Sequence, residues 1–334
     1  MALLITGGAG YIGSHMAYAC LDCGLPTVVV DDLSNSLPDF LPKEAAFYRG
    51  DVADRALLER IFAAHSIDCI VHFAGSVLVP ESVDNPLKYY KNNTGKTQGL
   101  LVTAIVAGIK RFIFSSTAAV YGAPGSSPIP ETAEPAPLSP YGNSKLMSET
   151  MIRDAAAAHG LSFGILRYFN VAGADPKMRT GQSSPNATHL IKVASQAAHG
   201  QRNRLEIFGS DYPTPDGTCV RDYIHVSDLA AAHVLAVEHL AAGGGSFTAN
   251  CGYGQGFSVK EVIAVVKKVT GKDFPVMETP RRVGDPPSLV AEAGRIRRLL
   301  GWVPQHNSLE QIVKHAFAWE GYLASLQKCT AAAS

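Results

Sequence analysis

The chain has 334 residues, 46% of them hydrophobic and 17% charged, and its 29 Lys and Arg balance 29 Asp and Glu to a net charge of zero. That composition belongs to one large folded domain or two packed ones, and it excludes a disordered chain. It leaves no basic field to hold a nucleic acid or an anionic membrane, and no apolar run reaches the roughly 18 residues that span a bilayer. A local anion site remains open, because two or three arginines suffice. The chain enters a strand at Ala2 with no basic leader before it, and its six cysteines are scattered. Both features predict a cytoplasmic protein. Cys20 and Cys23 stand in a C-x-x-C, but without a second pair at metal spacing they read as two reduced thiols near a helix end, and no metal is expected.

In chain order, Ala2–Ile5 is a strand, Tyr11–Cys23 a helix ending at Gly24, and Thr27–Val30 a second strand. Helices are expected over Ala53–Ala64 and Asn92–Ala107, with strands at Cys69–Phe73 and Arg111–Ser115. Tyr141–His159 is a long helix closed by Gly160, and Ser162–Arg167 is another strand. Continuous apolar strands between helices predict a parallel sheet covered on both faces, an α/β fold of the Rossmann-type, doubly wound kind.

The pattern changes after Asn170. Residues 173–188 form a loop rich in Gly, Pro and Ser, followed by a helix to about His199 and a short strand at Leu205–Phe208. Asp211–Thr218 reads as a long turn, Asp228–Leu240 and Val259–Thr270 as helices, and Pro280–Pro287 as a loop with two adjacent arginines. The division expected is a first domain over 1–170 and a smaller α/β substrate-binding lobe over 171–334, with a strand near 246–251 able to rejoin the first sheet.

The run from Gly7 to Gly13 carries the first chemistry. Gly7, Gly8, Gly10 and Gly13 follow a strand and open a helix. The turn must be tight, the backbone must approach a pyrophosphate, and the helix end offers free N–H groups to it. The next strand ends at Asp31. A carboxylate there accepts hydrogen bonds from ribose hydroxyls and repels a 2′-phosphate, which selects NAD over NADP. Asp51 is either an adenine contact or an ordinary loop residue.

Tyr141 and Lys145 lie one helical turn apart and share a face. A nearby ammonium favours the phenolate, and so does the positive charge of an oxidised nicotinamide, so the pair makes a general base for an alcohol that is losing a hydride. Ser115-Ser116-Thr117 ends a strand on the same side of the sheet and offers a hydroxyl to the same substrate oxygen.

Glycine turn, strand-end Asp, Ser-Ser-Thr and Tyr-x-x-x-Lys in this order resemble the extended short-chain dehydrogenase/reductase superfamily. Residues 111–122 (RFIFSSTAAVYG), 166–173 (LRYFNVAG), 207–212 (IFGSDY), 221–226 (RDYIHV) and 281–285 (RRVGD) narrow the resemblance to the UDP-glucose 4-epimerases, over residues 2 to about 303. The resemblance implies that Tyr141 is the acid/base on the sugar 4-hydroxyl, that Lys145 tunes it and binds the nicotinamide ribose, and that Thr117 assists proton transfer. It implies NAD contacts at Tyr11, Ile12, Asp31, Asn35, Ser36, Asp51, Val52, Phe73, Ala74, Asn92, Ser115 and Phe169. It implies that Asn170, Arg221, Tyr223, Arg282 and Asp285 hold the UDP-sugar, and that the protein is a homodimer joined through helices of the first domain. Taken alone, Arg221 and Arg282 read as solvated surface arginines, and Asp285 either fixes a ribose hydroxyl or sits in a turn before Pro286-Pro287.

The activity implied is a redox-neutral inversion at C4 through a 4-keto sugar, serving either galactose use or surface polysaccharide supply. A dehydratase of the same fold would carry Asp-Glu after the Thr, where this chain has Ala118-Ala119. A dehydrogenase with net turnover is the next alternative, and a non-catalytic NAD-binding module would have lost the Tyr141–Lys145 pair.

Three departures stand out. Val77 replaces a phosphate-contacting lysine of several relatives. Asn93-Thr-Gly-Lys-Thr97 replaces the usual Asn-x-x-Gly-Thr, so that helix is expected to begin differently. Leu289 stands where many UDP-glucose enzymes carry a bulky Tyr. It either opens the pocket to an N-acetyl group at C2 or merely packs in the second lobe.

Overall fold

The computed structural model describes residues 2–333 except 126, 185–187 and 283. Residues 185–187 of the predicted Gly/Pro/Ser loop and Val283 of the arginine loop therefore lie outside the described residues. The first half runs β1 (Ala2–Thr6), α1 (Tyr11–Asp22), β2 (Thr27–Asp31), β3 (Ala46–Arg49), α2 (Arg55–Ala64), β4 (Ile67–His72), α3 (Val79–Asp84) and α4 (Pro86–Tyr89). A π-helical turn at Tyr90–Gly95 leads into α5 (Lys96–Val106), then β5 (Arg111–Thr117), α6 (Pro140–His159) and β6 (Ser162–Tyr168). The remainder is β7 (Asn170–Ala172), α7 (Leu190–Ala198), β8 (Leu205–Phe208), β9 (Val220–His225), α8 (Val226–Ala241), β10 (Phe247–Cys251) and β11 (Gly256–Ser258). It closes with α9 (Val259–Thr270), β12 (Val276–Thr279), β13 (Ser288–Leu289), α10 (Gly294–Leu300) and α11 (Leu309–Ala333).

The main sheet has seven strands in the order β10-β6-β5-β4-β1-β2-β3, every pair parallel. The apolar strands are buried on both sides by simple alternation. Leu3, Ile5, Val29, Val71 and Ile113 enter a core shared with Met16 of α1 and Leu229 and Val237 of α8. Their neighbours Leu4, Val28, Val30, Ile70, Phe112 and Phe114 enter the opposite core, with Leu57 and Ile61 of α2, Leu100 of α5 and Ile152 of α6. A third core fills the second lobe from Ile191 of α7, Val262 and Val266 of α9 and Ile312 and Val313 of α11.

Two smaller sheets make up the second lobe. In one, β9 pairs with β7, β11 and β13; in the other, β8 pairs with β12. The strand at Phe247–Cys251 does not join them. It lies parallel to β6 at the edge of the main sheet, Phe247 opposite Gly164 and Cys251 opposite Tyr168.

Several boundaries differ from expectation for identifiable reasons. The helix expected from Ala53 starts at Arg55, because the Asp54 carboxylate accepts the Leu57 N–H as an N-cap, a contact worth about 1 kcal/mol. The helix expected from Asn92 is α-helical only from Lys96, the preceding turn being the π turn. Asp228–Leu240 extends to Val226–Ala241, with His225 as its cap. Strands β3, β7, β9, β11, β12 and β13 and helices α3, α4, α10 and α11 were not anticipated at all.

Candidate active site

In the sheet order the chain reverses direction between β1 and β4, and a crevice opens outside the carboxyl ends of those two strands. The turn after β1 and the turn after β4 meet there. A Cβ on Gly7, whose φ is +66°, would sit 2.6 Å from the Ala74 nitrogen, and one on Gly13 would sit 2.3 Å from the Gly7 carbonyl. No side chain other than hydrogen fits either place. Gly10 caps α1 without any side-chain hydrogen bond, so the first N–H groups of that helix face the crevice free of a cap. This is a cradle for a phosphate group, and it fits the pyrophosphate of a dinucleotide.

Asp31 reaches into the same turn. Its Oδ2 accepts the Ala9 N–H at 3.0 Å, and its Oδ1 accepts the Leu33 N–H and the Ser36 hydroxyl, each at 2.8 Å. Asn35 follows in that loop, its carbonyl accepting the Ser184 hydroxyl at 3.2 Å. Asp51 accepts the Ala53 N–H and pairs with Lys96 Nζ at 2.9 Å; Lys96 also lies 3.6 Å from Asp32. Val52 is buried in the core below. Val77 is exposed, and Lys96 places an ammonium between Asp51 and Asp32. Phe73 stacks obliquely on His233 at 4.8 Å, and Asn92 donates to the Ser76 hydroxyl at 2.9 Å. The Tyr11 side chain turns away: its hydroxyl donates to the Gly173 carbonyl at 2.7 Å and ties α1 to the second lobe. The Ile12 side chain packs against the core, which leaves their backbone N–H groups for any anion.

The chemistry gathers at the carboxyl ends of β5 and β6. Pro140 starts α6 under a Ser139 cap, so Tyr141 falls in the first turn and Lys145 one turn later, both buried. Lys145 Nζ donates to the Ser115 carbonyl at 3.0 Å and lies 4.9 Å above the Phe114 ring. Thr117 acts on the Tyr141 phenol from the end of β5, and its hydroxyl accepts the Ala119 N–H at 3.1 Å.

Burial pushes the Tyr141 phenol above its ordinary range, the Thr117 hydrogen bond opposing it. Burial also lowers the Lys145 ammonium to about 8, the Glu149 carboxylate opposing. The phenolate was expected to be favoured by the Lys145 ammonium and an oxidised nicotinamide together; in the protein without cofactor, burial is the larger effect on Tyr141. Ser115 differs too. Its hydroxyl is engaged with the Tyr168 hydroxyl rather than turned to Tyr141. Ser116 faces α6 and donates to Glu149 at 2.5 Å.

In the second lobe, β9 brings together most of the residues expected at a sugar nucleotide. Arg221, nearly buried, donates to the Asp285 carboxylate at 2.5 Å and to the Val220 carbonyl at 2.8 Å. Tyr223 lies opposite Asn170 on β7, and Leu289 on β13 lies opposite Arg221. Phe169 is buried in a small cluster with Ala118, Val120 and Tyr121, and Leu289 packs against it. Arg282 stands slightly apart, its guanidinium 3.6 Å from the centre of the Phe208 ring, while its carbonyl accepts the Asp285 N–H at 3.4 Å. The reading of Arg221 as a solvated surface arginine is thus overturned; Arg282 keeps its exposure.

Ala118 and Ala119, in the 3₁₀ turn after Thr117, bring no acid or base to the dyad. Cys20 is buried and its thiol is pushed up to about 12 by that burial. Among the described residues no cluster of His, Cys, Asp and Glu could hold a metal, and no helix is long and apolar enough to cross a membrane.

Residues 3–252 match the NAD dependent epimerase/dehydratase family. The chain belongs to that family. A UDP-glucose 4-epimerase of Azospirillum brasilense is 58% identical over 318 residues, which cover 95% of this chain and 91% of the relative. The crystal structure of UDP-glucose 4-epimerase from Brucella ovis in complex with NAD superposes with a TM-score of 0.92 at 43% identity, over 95% of this chain and 97% of that one. The UDP-Glc/GlcNAc 4-epimerase of Campylobacter jejuni superposes with a TM-score of 0.83 at 48% identity, over 96% and 99%.

Proposed function

We propose that this member of the family inverts C4 of a UDP-hexose, interconverting UDP-glucose and UDP-galactose, with NAD as a resident cofactor. The observation that carries the reading is a buried Tyr141, one turn from Lys145 and beside Thr117, at the mouth of a sheet whose glycine turn has room for a phosphate and no side chain. The glycine cradle, Asp31, Asn35, Ser36, Asp51, Val52, Phe73, Ala74, Asn92 and the N-terminal turn at Tyr11 and Ile12 would hold the dinucleotide, with Ser115, Lys145 and Phe169 at its nicotinamide end. When bound, NAD supplies a reversible hydride acceptor and a positive ring that favours the Tyr141 phenolate.

Tyr141 takes the proton of the sugar 4-hydroxyl and later returns it, so the proton count closes within each cycle. Thr117 holds both the Tyr141 oxygen and the sugar oxygen in line. Lys145, kept dry, supplies a fixed ammonium next to that exchange. Arg221 exchanges Asp285 for the substrate pyrophosphate, freeing Asp285 for a ribose hydroxyl, and Arg282 adds a second fork from the loop. Asn170 and Tyr223 flank the sugar. We assign residues 1–170, joined by α8 and β10, to the cofactor and the rest of 171–334 to the UDP-sugar.

We also propose a homodimer built on the exposed apolar stripe of α5 and a cytoplasmic location, which suits the free cysteines.

The Tyr141→Phe variant tests the reading. It should keep its NAD, read by absorbance after denaturation, and lose roughly a hundred- to ten-thousandfold in kcat on UDP-galactose. Unchanged turnover would remove Tyr141 from the chemistry. Steady growth of NADH absorbance with the unsubstituted protein would favour net oxidation.

A further inference from the structure

Glu149 has no exposed surface, and it stands one turn beyond Lys145 on α6. A carboxylate in such a place is costly unless every lone pair is met. Here they are met from three directions. Ser116 donates to Oε1 at 2.5 Å, and Arg167 donates to Oε1 at 2.9 Å and to Oε2 at 2.6 Å. Arg153 donates to Oε2 at 2.8 Å. Although burial works against it, the Arg167 bonds hold the Glu149 carboxyl below its ordinary range, so it is an anion at neutral pH.

The two strand partners of Glu149 are themselves partners. Ser116 on β5 is the register neighbour of Arg167 on β6. Ser116 also lies between Ser115, whose carbonyl accepts from Lys145, and Thr117, which acts on the Tyr141 phenol. The groups that face the dyad are few. From α6 they are Glu149 itself; from β4, His72, held neutral by burial, bonded to Thr6 and Thr97 and lowered to about 3. Tyr89 of α4 packs edge-on to Tyr141 at 6.4 Å, and Tyr168 of β6 acts on Tyr141 at longer range. Asn93, near Lys145 across Gly75, is neutral. Among the described residues Glu149 is the carboxylate that acts on Lys145.

We propose that Glu149 is a positioning residue for the catalytic pair: through Ser116 it fixes the strand end that carries Ser115 and Thr117, and its buried charge keeps Lys145 in the ammonium form. The proposal rests on the assignment of Tyr141 and Lys145 as the dyad, which the Tyr141→Phe variant tests separately.

Removing an anion disfavours a neighbouring cation, so Glu149→Gln lowers the Lys145 pKa and moves the alkaline limb of kcat to lower pH by about one unit. Arg153→Gln does the reverse on a smaller scale, because it removes a half-exposed cation beside Glu149 and raises that limb. Ser116→Ala keeps the charge and loses only the tether, so kcat falls roughly tenfold with the limb unmoved and KM little changed. Each variant is read as NAD content, melting temperature and a kcat–pH profile on UDP-galactose. The expected result is limb shifts of opposite sign for Glu149→Gln and Arg153→Gln. A folded Glu149→Gln enzyme with a lower melting temperature but a superimposable profile would overturn the electrostatic role. Should that variant fail to fold, an Arg153→Gln limb that stays put or moves down overturns the same role, and a Ser116→Ala enzyme with undiminished kcat overturns the tether.

Discussion

Leu289 belongs to a two-residue strand, opposite Arg221 and against the cluster that contains Phe169. It therefore packs, and it does so beside the residues expected to meet the sugar. A tyrosine there would add a ring to that wall, and an extra group in a fitted pocket discriminates by roughly 10- to 200-fold. Leu289→Tyr should accordingly cut turnover of UDP-N-acetylglucosamine at least tenfold relative to UDP-glucose, with product configuration read by NMR. Equal loss on both sugars would mean that Leu289 is only a packing residue. The kinship with the Campylobacter jejuni enzyme, which acts on both sugars by name, makes the comparison worth running.

At the scale of elements, the glycine turn, its strand and its helix were legible because each obeys a local rule: a positive φ, a close backbone approach, an uncapped helix start. The parallel strands β1, β2, β4, β5 and β6 were legible because they are apolar on both faces, whereas β3, alternately exposed at the edge of the same sheet, was not. Strand β9 was not, since Arg221, Asp222 and His225 are buried in it and reverse the usual association of charge with solvent. Its partners β7, β11 and β13 are three residues or fewer and exist only by pairing with it. Glu149 left a signal in its spacing, one turn past Lys145, but a charged residue on a helix is ordinarily solvated, and only the paired arginine on β6 reverses that.

Lys96 shows the same limit. The sequence marked it as a departure at the start of a helix; the fold puts it between Asp51 and Asp32, after a π turn that rotates the helix entry. A half-buried pair of this kind is worth up to about 1 kcal/mol. Lys96→Met should weaken NAD retention by roughly two- to fivefold, measured as the rate of NAD loss on dilution, and the effect should shrink at high salt. Retention indifferent to both changes would remove Lys96 from the adenosine end.

At the scale of the molecule, Val102 and Val106 stand one turn apart on the outside of α5, with Leu87 of α4 and Met147 of α6 also exposed. Scattered apolar residues need no explanation, but a stripe along one helix beside another does. A two-fold axis through that stripe would bury the same patch on both copies. Val102→Glu places a charge there, and sedimentation should show a monomer for the variant and the proposed dimer for the unsubstituted protein. A variant that sediments like its parent would move the interface elsewhere.

One connection has a bearing on how the sugar is handled. After β6 the chain leaves the main sheet, builds β7, β8 and β9, and then returns as β10 to lie beside the strand it left. The lobe proposed for the sugar is sewn to the floor at both ends of this excursion, like a flap stitched along two seams. Such a lobe cannot swing wide between the two halves of a cycle. A sugar that must show first one face of C4 and then the other to the same wall does its turning in a closed room, tethered by its diphosphate. The room needs to be wide enough for that turn and nothing more.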